Sequence, residues 1–334
     1  MSVLQRRLAA VRARWTVPPR WHEVAAWAAL VLLTLIVVSG AAVRLTGSGL
    51  GCPDWPRCNG TSLTPSQGHA YIEFGNRMVT TPVAIASLAC LVLALLRAPL
   101  RRDLVWLGFG LSAGVAAQAI LGGITVLTGL NPWTVAAHFL LSMVTLVLAT
   151  TNVWRVVQDR RGAPATPERD PRLVLPVRAL AVFGGAVVVL GTLVTASGPY
   201  AGGEGTGDVV QRVRLFGSDG FNTGVMVHAR AAAVFGALAV ALWFWARARH
   251  AGRQLQLPLT MVCLVVALAG LIGNIQYHQR DDYPEWLVWA HVSVATLLWN
   301  ALCWSVLAAG RPAREPRTAE EAPTVAATRE PTAV

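Results

Sequence analysis

The sequence predicts an all-α, polytopic membrane protein whose eight transmembrane helices form two pseudo-symmetric four-helix bundles. Three observations predict it. Of the 334 residues 54% are hydrophobic and only 13% are charged, too apolar a balance for a soluble protein of this length. Eight apolar runs reach about 20 residues, the length at which a helix crosses a hydrocarbon core of roughly 30 Å. Motifs of the first four runs also recur in the last four, the mark of a duplicated unit.

Residues 1–23 form a basic arm containing Arg6, Arg7, Arg12, Arg14 and Arg20. It reads as a surface helix with Trp15 and Trp21 at the membrane interface and His22 as an interfacial residue. The spans Val24–Val43, Tyr71–Leu96, Leu104–Thr128 and Trp133–Val156 make the N-terminal half, residues 24–157. Residues 158–172, QDRRGAPATPERDPR, are polar and proline-rich enough to be a flexible link. The spans Leu173–Ala196, Asn222–Trp245, Leu257–Tyr277 and Glu285–Ala309 make the C-terminal half, residues 173–310. Residues 311–334, rich in Pro, Ala, Thr and Glu, read as a disordered tail.

All 28 basic residues are arginines, and their placement sets an orientation. They cluster on the arm, between spans two and three (Arg97, Arg101, Arg102), between four and five (Arg155, Arg160, Arg161, Arg169, Arg172), between six and seven (Arg247, Arg249, Arg253) and after span eight. The positive-inside rule therefore makes both termini cytoplasmic in a multi-pass protein of the cell membrane. The net charge of +11 is a topology signal with some affinity for anionic membrane lipid, not a nucleic-acid footprint. No phosphate-binding loop, zinc-type cysteine cluster or Ser/His/Asp set occurs.

The loop after span one, RLTGSGLGCPDWPRCNG, falls on the oxidising side. Cys52 and Cys58 there are either a disulfide or a reversible dithiol pair, with unpaired thiols the remaining option. Cys90, Cys263 and Cys303 fall inside spans and read as small apolar packers. Span two opens with HAYIEFGNRMVTTP, placing Glu73 three and four residues ahead of Asn76 and Arg77. His69 reads as an exposed loop histidine, and His250 and His278, at helix ends, as non-ligands.

The repeat brings out the chemistry. VVSGAAVRLTGSGLG at Val37–Gly51 echoes VVLGTLVTASGPYAG at Val188–Gly202, and Gly122 in span three matches Gly273 in span seven. Each half is then a four-helix unit of the same orientation. His228 in VMVHARAA falls on Asn76, and His291 in VWAHVSVA falls on His138. All four positions lie a turn or two inside an even-numbered span, at one depth near the outer face. Imidazoles on spans six and eight facing across an apolar bundle suit an iron porphyrin with two axial ligands. The plainer alternative is a pair of hydrogen-bonded packing histidines. Phe139, Phe235, Trp289 and Leu297 either wall such a ring or pack in the ordinary way, and Tyr200, Gln276 and Tyr277 are candidate lining residues of the second pocket.

Arg77 and Arg230 lie deep enough to need anionic partners. Haem propionates fit them, because guanidinium binds carboxylate bidentately, while for Arg77 the i,i+4 carboxylate of Glu73 competes. Glu73 is either a group that positions water and moves protons or an acid favoured by the helix N-terminus. The halves differ at this point: Glu73 matches Val225, and the cysteine pair has no counterpart between Ser197 and Phe221. One symmetric bis-histidine site and one altered site suggest division of labour, with an electron-transferring haem in the second half and the reacting molecule in the first.

The loop GSGLGCPDWPRCNG, the E-x-x-N-R of span two, LGGITVLTGLNPW with His138 downstream, the turn at Ser197–Pro199, and His228 with His291 together resemble the haem A synthases over about residues 24–309. The resemblance implies eight spans in two halves and oxidation of the C8 methyl of haem O to a formyl group, giving haem A for terminal oxidases. It implies a haem b cofactor ligated by His228 and His291, with Arg230 beside it. It further implies substrate haem O in the first half near His138, Asn76 and Arg77, Glu73 needed for turnover, and a Cys52–Cys58 disulfide. A haem O-making farnesyltransferase and an electron-transfer protein are the implied partners. Asn76 departs from the pattern, which has histidine there. An amide is a poor iron ligand, which leaves five-coordination, a water held by Asn76, or a shifted substrate. A non-catalytic haem carrier or assembly factor and a b-type electron-transfer cytochrome are the alternative functions on this scaffold.

Overall fold

The computed structural model describes residues 16–60, 65, 68–214, 220–279 and 284–313. Among them are eight long helices: α1 Pro19–Leu45, α2 Gly68–Leu96, α3 Arg102–Leu127, α4 Pro132–Arg160, α5 Pro171–Ser197, α6 Gly220–Ala248, α7 Arg253–His278 and α8 Glu285–Ala309. Each is long and apolar enough to cross a membrane, and the chain is an all-α polytopic membrane protein. Several helices overrun the predicted spans. Hydropathy marks only the lipid-facing stretch, whereas backbone hydrogen bonding continues into polar flanks until a local signal ends it. Proline opens α1, α4 and α5, where its missing N–H costs nothing. Asn131 and Asp170 cap α4 and α5 by accepting from Trp133 N and Arg172 N, at 3.0 and 2.9 Å.

Within each half the four helices close a ring: α1 packs on α2, α2 on α3, α3 on α4 and α4 on α1, with the same order for α5 to α8. The diagonal partners, α2 with α4 and α6 with α8, pack chiefly on shared neighbours. The halves meet through α1, α4, α5 and α8. That seam carries donated bonds from α8: Trp289 Nε1 to the Val38 carbonyl, Trp299 Nε1 to the Met143 carbonyl and Asn300 Nδ2 to Thr34 Oγ1, each 3.0 Å. Trp304 lies stacked on Trp27 and edge-on to Trp154.

Three expectations are corrected. His22 is not interfacial; α1 starts before it and buries it to 1% exposure, while the expected surface helix with Trp15 lies outside the described residues. The link between the halves is pinned, not flexible. Its strand β1, Glu168–Arg169, pairs in parallel with β2, Arg311–Pro312, and Trp154 Nε1 donates to the Ala165 carbonyl at 2.8 Å. Gly310, at φ +68°, lets the chain turn hard against the Pro167 carbonyl, where a Cβ would fall 2.0 Å from the oxygen. The tail beyond residue 313 lies outside the described residues. His69 is likewise no exposed loop residue: it stands in the first turn of α2, half-buried, with Nδ1 2.9 Å from Ser48 Oγ.

Many arginines of the expected cytoplasmic end are held locally. Arg97 and Arg101 both pair with Asp159, and Arg101 and Arg155 with Asp103. The α2–α3 turn is thereby clamped onto the end of α4.

Candidate functional site

In the second half His228 on α6 and His291 on α8 face each other across the diagonal, ring centres 6.2 Å apart and planes at 76°. Metal–nitrogen bonds of roughly 2 Å on each side put two ring centres about 6 Å apart across one ion, so the gap is the size of a shared iron. Each ring lies against a glycine on the neighbouring helix. A Cβ on Gly191 of α5 would fall 3.0 Å from His228 Cε1, and one on Gly273 of α7 would fall 3.3 Å from His291 Cε1. Only glycine leaves the imidazole room to lie flat on the helix. The Nδ1 atoms of both rings are buried, with the backbone of Val187 facing His228 and that of Ala269 facing His291. This donor set, neutral nitrogens in an apolar slot, fits haem iron.

The same construction recurs in the first half. A Cβ on Gly122 of α3 would fall 3.2 Å from His138 Cε1, and His138 Nδ1 is again buried, here without a partner. At the fourth position Asn76 lies over Gly40 of α1, its Nδ2 3.9 Å from where a Cβ would stand. Asn76 Oδ1 accepts from Ser39 Oγ at 2.6 Å. Gln118 Nε2 donates to the His138 carbonyl at 3.1 Å and to Ser142 Oγ at 2.7 Å, fixing α3 to α4 beside the imidazole.

The loop after α1 closes this end of the first bundle. Cys52 and Cys58 are joined in a disulfide. Glu73, 5% exposed, accepts from Cys52 N at 2.8 Å through Oε2 and from Arg77 through Oε1. Arg77 also donates to the carbonyls of Cys52 and Asp54, both at 2.9 Å. Of the partners weighed for Arg77, the i,i+4 carboxylate is the one engaged here, with the disulfide loop hung on the pair. The Trp55 indole packs over Gly123 of α3, where a Cβ would clash at 2.7 Å. A cavity of about 230 Å³ opens between Pro56, Cys58, Phe74, Arg77 and Met78.

The loops of the two halves interlock. Gly49 N donates to the Gly202 carbonyl at 2.8 Å and Gly205 N to the Gly47 carbonyl at 3.1 Å. Arg44 donates to the carbonyls of Thr195 and Tyr200, at 2.8 and 3.0 Å. Glu204 accepts from Ala201 N and Gly202 N, both at 2.8 Å, and pairs with Arg212. Burial alone would push its carboxyl up, but the two N–H groups and the guanidinium hold it below the usual glutamate value.

With this geometry in place, residues 23–202 match the profile of the Cytochrome oxidase assembly protein family. That is more than half of the chain, and it takes in most of α1 and all of α2 to α5. This chain belongs to the haem A synthase family. Among its relatives, the heme A synthase of Symbiobacterium thermophilum is 30% identical over 226 residues, 65% of this chain and 72% of that protein. The heme A synthase of Listeria welshimeri is 26% identical over 301 residues, covering 84% and 93%. That of Lysinibacillus sphaericus is 34% identical over 181 residues, 52% of this chain and a little over half, 57%, of that relative.

In this member of the family the remaining candidates fall as follows. Arg230, two residues beyond His228, is exposed and makes no ion pair among the described residues. Phe235 is core, 2% exposed and tilted against Phe183; Phe139 packs on the first-half core. Trp289 and Leu297 stay largely exposed. His278 ends α7 and His250 follows α6. Sequence reasoning did not single out Ser39, Gln118, or the glycines as cradles. The signal for the glycines was present, since Gly40 and Gly191, and Gly122 and Gly273, are repeat-matched.

Proposed function

We propose that this oxidoreductase of the haem A synthase family converts the C8 methyl of haem O to the formyl group of haem A. In this reading the second half holds a haem b between His228 and His291, and the first half receives haem O at His138, with Asn76 opposite. The single observation that carries it is the repeated glycine–ligand cradle: three imidazoles and one amide, each laid on a neighbouring helix, on diagonal helix pairs of two matched bundles. Bound haem b supplies one-electron transfer.

The chain's own residues supply the rest. Arg230, exposed beside the second site, is placed to take a propionate. Arg77 orients the loop over the first site, its guanidinium donating to Glu73 and to the carbonyls of Cys52, Asp54 and Arg57; it takes a substrate propionate only by exchanging one of these bonds. Glu73 stands one turn ahead of Asn76 and carries the carboxylate that holds a proton or orients water. Its Oε2 is the freer oxygen, shared only with Cys52 N, because Oε1 takes both Arg77 bonds. The disulfide loop and Trp55 exclude bulk water. Methyl becomes hydroxymethyl, then the hydrated aldehyde, which loses water to the formyl group; each hydroxylation takes its oxygen from one water molecule and releases two protons and two electrons, the electrons passing to an electron-transfer protein of the membrane. The sites face the extracytoplasmic side of the cell membrane, with both termini cytoplasmic, and a haem O-making farnesyltransferase delivers the substrate.

Pigment extracted from cells that co-express the chain with a haem O source should contain formyl haem, absent when His138 is replaced by Ala. Haem O recovered unchanged, bound but never converted, would overturn the enzyme reading. It would favour the carrier alternative, for which the exchange of ligand for amide at Asn76 is the one specific observation.

A further inference from the structure

The first-half site differs from the second at two positions that touch each other. Where the repeat places His228, the first half has Asn76; where it places Leu190, one residue before the cradle glycine, the first half has Ser39. The hydroxyl therefore occurs only in the half that has the amide, and the two are bonded at 2.6 Å.

The bond pattern assigns the amide's orientation, with Ser39 Oγ donating to Asn76 Oδ1. The distance suits O–H···O, whose range starts near ~2.5 Å, and is short for N–H···O, which starts near ~2.7 Å. Ser39 Oγ has one proton and a second acceptor, the Ile36 carbonyl, at 3.2 Å; the shorter contact takes it. Asn76 Oδ1 is thus occupied, and the NH2, beside Gly40, remains as the amide's donor with no acceptor among the described residues. An amide NH2 has no lone pair to give a metal, but it is a hydrogen-bond donor.

The geometry points to a one-ligand iron site in the first half. His138 binds the substrate haem, the opposite coordination position is open, and Ser39 holds Asn76 so that its NH2 donates to a small anion or oxygen ligand there. This inference rests on the proposal that the first half receives haem O. It makes Ser39 a positioning residue and gives this site a ligand class, small hydrogen-bond-accepting anions, that the closed bis-imidazole site cannot take.

The test uses the full chain purified from cells supplied with haem O, oxidised, and read by electron paramagnetic resonance and optical spectra. Expected are one low-spin and one high-spin ferric haem per chain, cyanide converting only the high-spin one. Asn76→His should turn the high-spin signal low-spin. Ser39→Ala should keep the high-spin signal but weaken fluoride binding about fivefold, the effect of one neutral hydrogen bond; Ser39→Thr, which keeps the hydroxyl, should restore it. Two low-spin haems in the unmodified chain would overturn this inference and leave the proposed activity standing. Asn76→His without a spin change, or fluoride affinity indifferent to Ser39→Ala, would also overturn it. A single haem per chain, lost with His228→Ala, would remove the substrate-site reading itself and this inference with it.

Discussion

Replacing the cradle glycines one at a time by alanine tests the site at the level of tenths of an ångström. The added methyl of Gly191→Ala would stand 3.0 Å from His228 Cε1, that of Gly122→Ala 3.2 Å from His138 Cε1, and that of Gly273→Ala 3.3 Å from His291 Cε1. Carbon atoms are content at about 3.5–4.0 Å, so each ring must give way, by most at Gly191. Gly40→Ala meets Asn76 only at 3.9 Å, an ordinary contact. Overpacking of this kind costs about 1–3 kcal/mol, and under the proposed bis-imidazole site the displaced ring puts that cost on haem binding. It converts to roughly 5- to 150-fold weaker retention of the second-half haem in Gly191→Ala. The helices themselves should not suffer, since alanine is favoured over glycine by up to about 1 kcal/mol within a helix. The assay is haem transfer to an excess of a haem-scavenging protein, followed optically, beside thermal melts of each variant. Haem loss should rank Gly191→Ala above Gly273→Ala, with Gly40→Ala at the unmodified rate. Equal retention in Gly191→Ala and Gly40→Ala would refute the cradle argument, as would a Gly191→Ala chain that loses fold and haem together.

Three further outcomes follow from the loop and its anchors. Glu73→Ala leaves a largely buried guanidinium and Cys52 N without their shared acceptor, a loss of about 3–5 kcal/mol for a broken buried pair. Haem O conversion should stop and proteolysis around Trp55–Arg57 should accelerate, while the low-spin spectrum of the second half stays unchanged; loss of that spectrum would reassign Glu73 to global structure. Cys52→Ser with Cys58→Ser removes a cross-link six residues apart, worth about 2 kcal/mol by loop closure. The loop should nonetheless stay partly protected from protease by the Arg77 bonds, and complete cleavage at the unfolded-chain rate would disprove that anchoring. Glu204 is held below its usual value, so the stability it contributes is complete above the ordinary glutamate range and is lost as pH falls through the lowered value. Melting temperatures taken from about pH 6 to about pH 3 should fall less steeply in Glu204→Gln, and parallel curves would show that the carboxylate does not brace the loop from Ala201 to Arg212.

Much of the architecture was legible because the bilayer imposes it. Spans of fixed length, arginine-rich turns and the echo of Val37–Gly51 in Val188–Gly202 are one-dimensional patterns, and they sufficed for eight helices in two matched halves. The cysteine pair and the motif around Glu73 were equally visible, since they are local. What a linear reading missed were contacts between segments far apart. The link at residues 158–172 looked free because its composition is polar, yet its backbone pairs with Arg311–Pro312 more than a hundred residues on. His22 looked interfacial because it borders an arm of arginines, yet α1 had already begun and turned it inward.

The sequence by itself determined the number of spans and the duplication, because hydrophobic length and repeated residues are properties of the chain alone. Only the tertiary structure decided which glycine lies under which imidazole or amide, that the Arg77 guanidinium is engaged by Glu73 and the disulfide loop, and that Ser39 bonds the side chain of Asn76. Those are facts of approach between different helices, set by how two bundles pack, and no spacing along one strand of text encodes a distance across a gap.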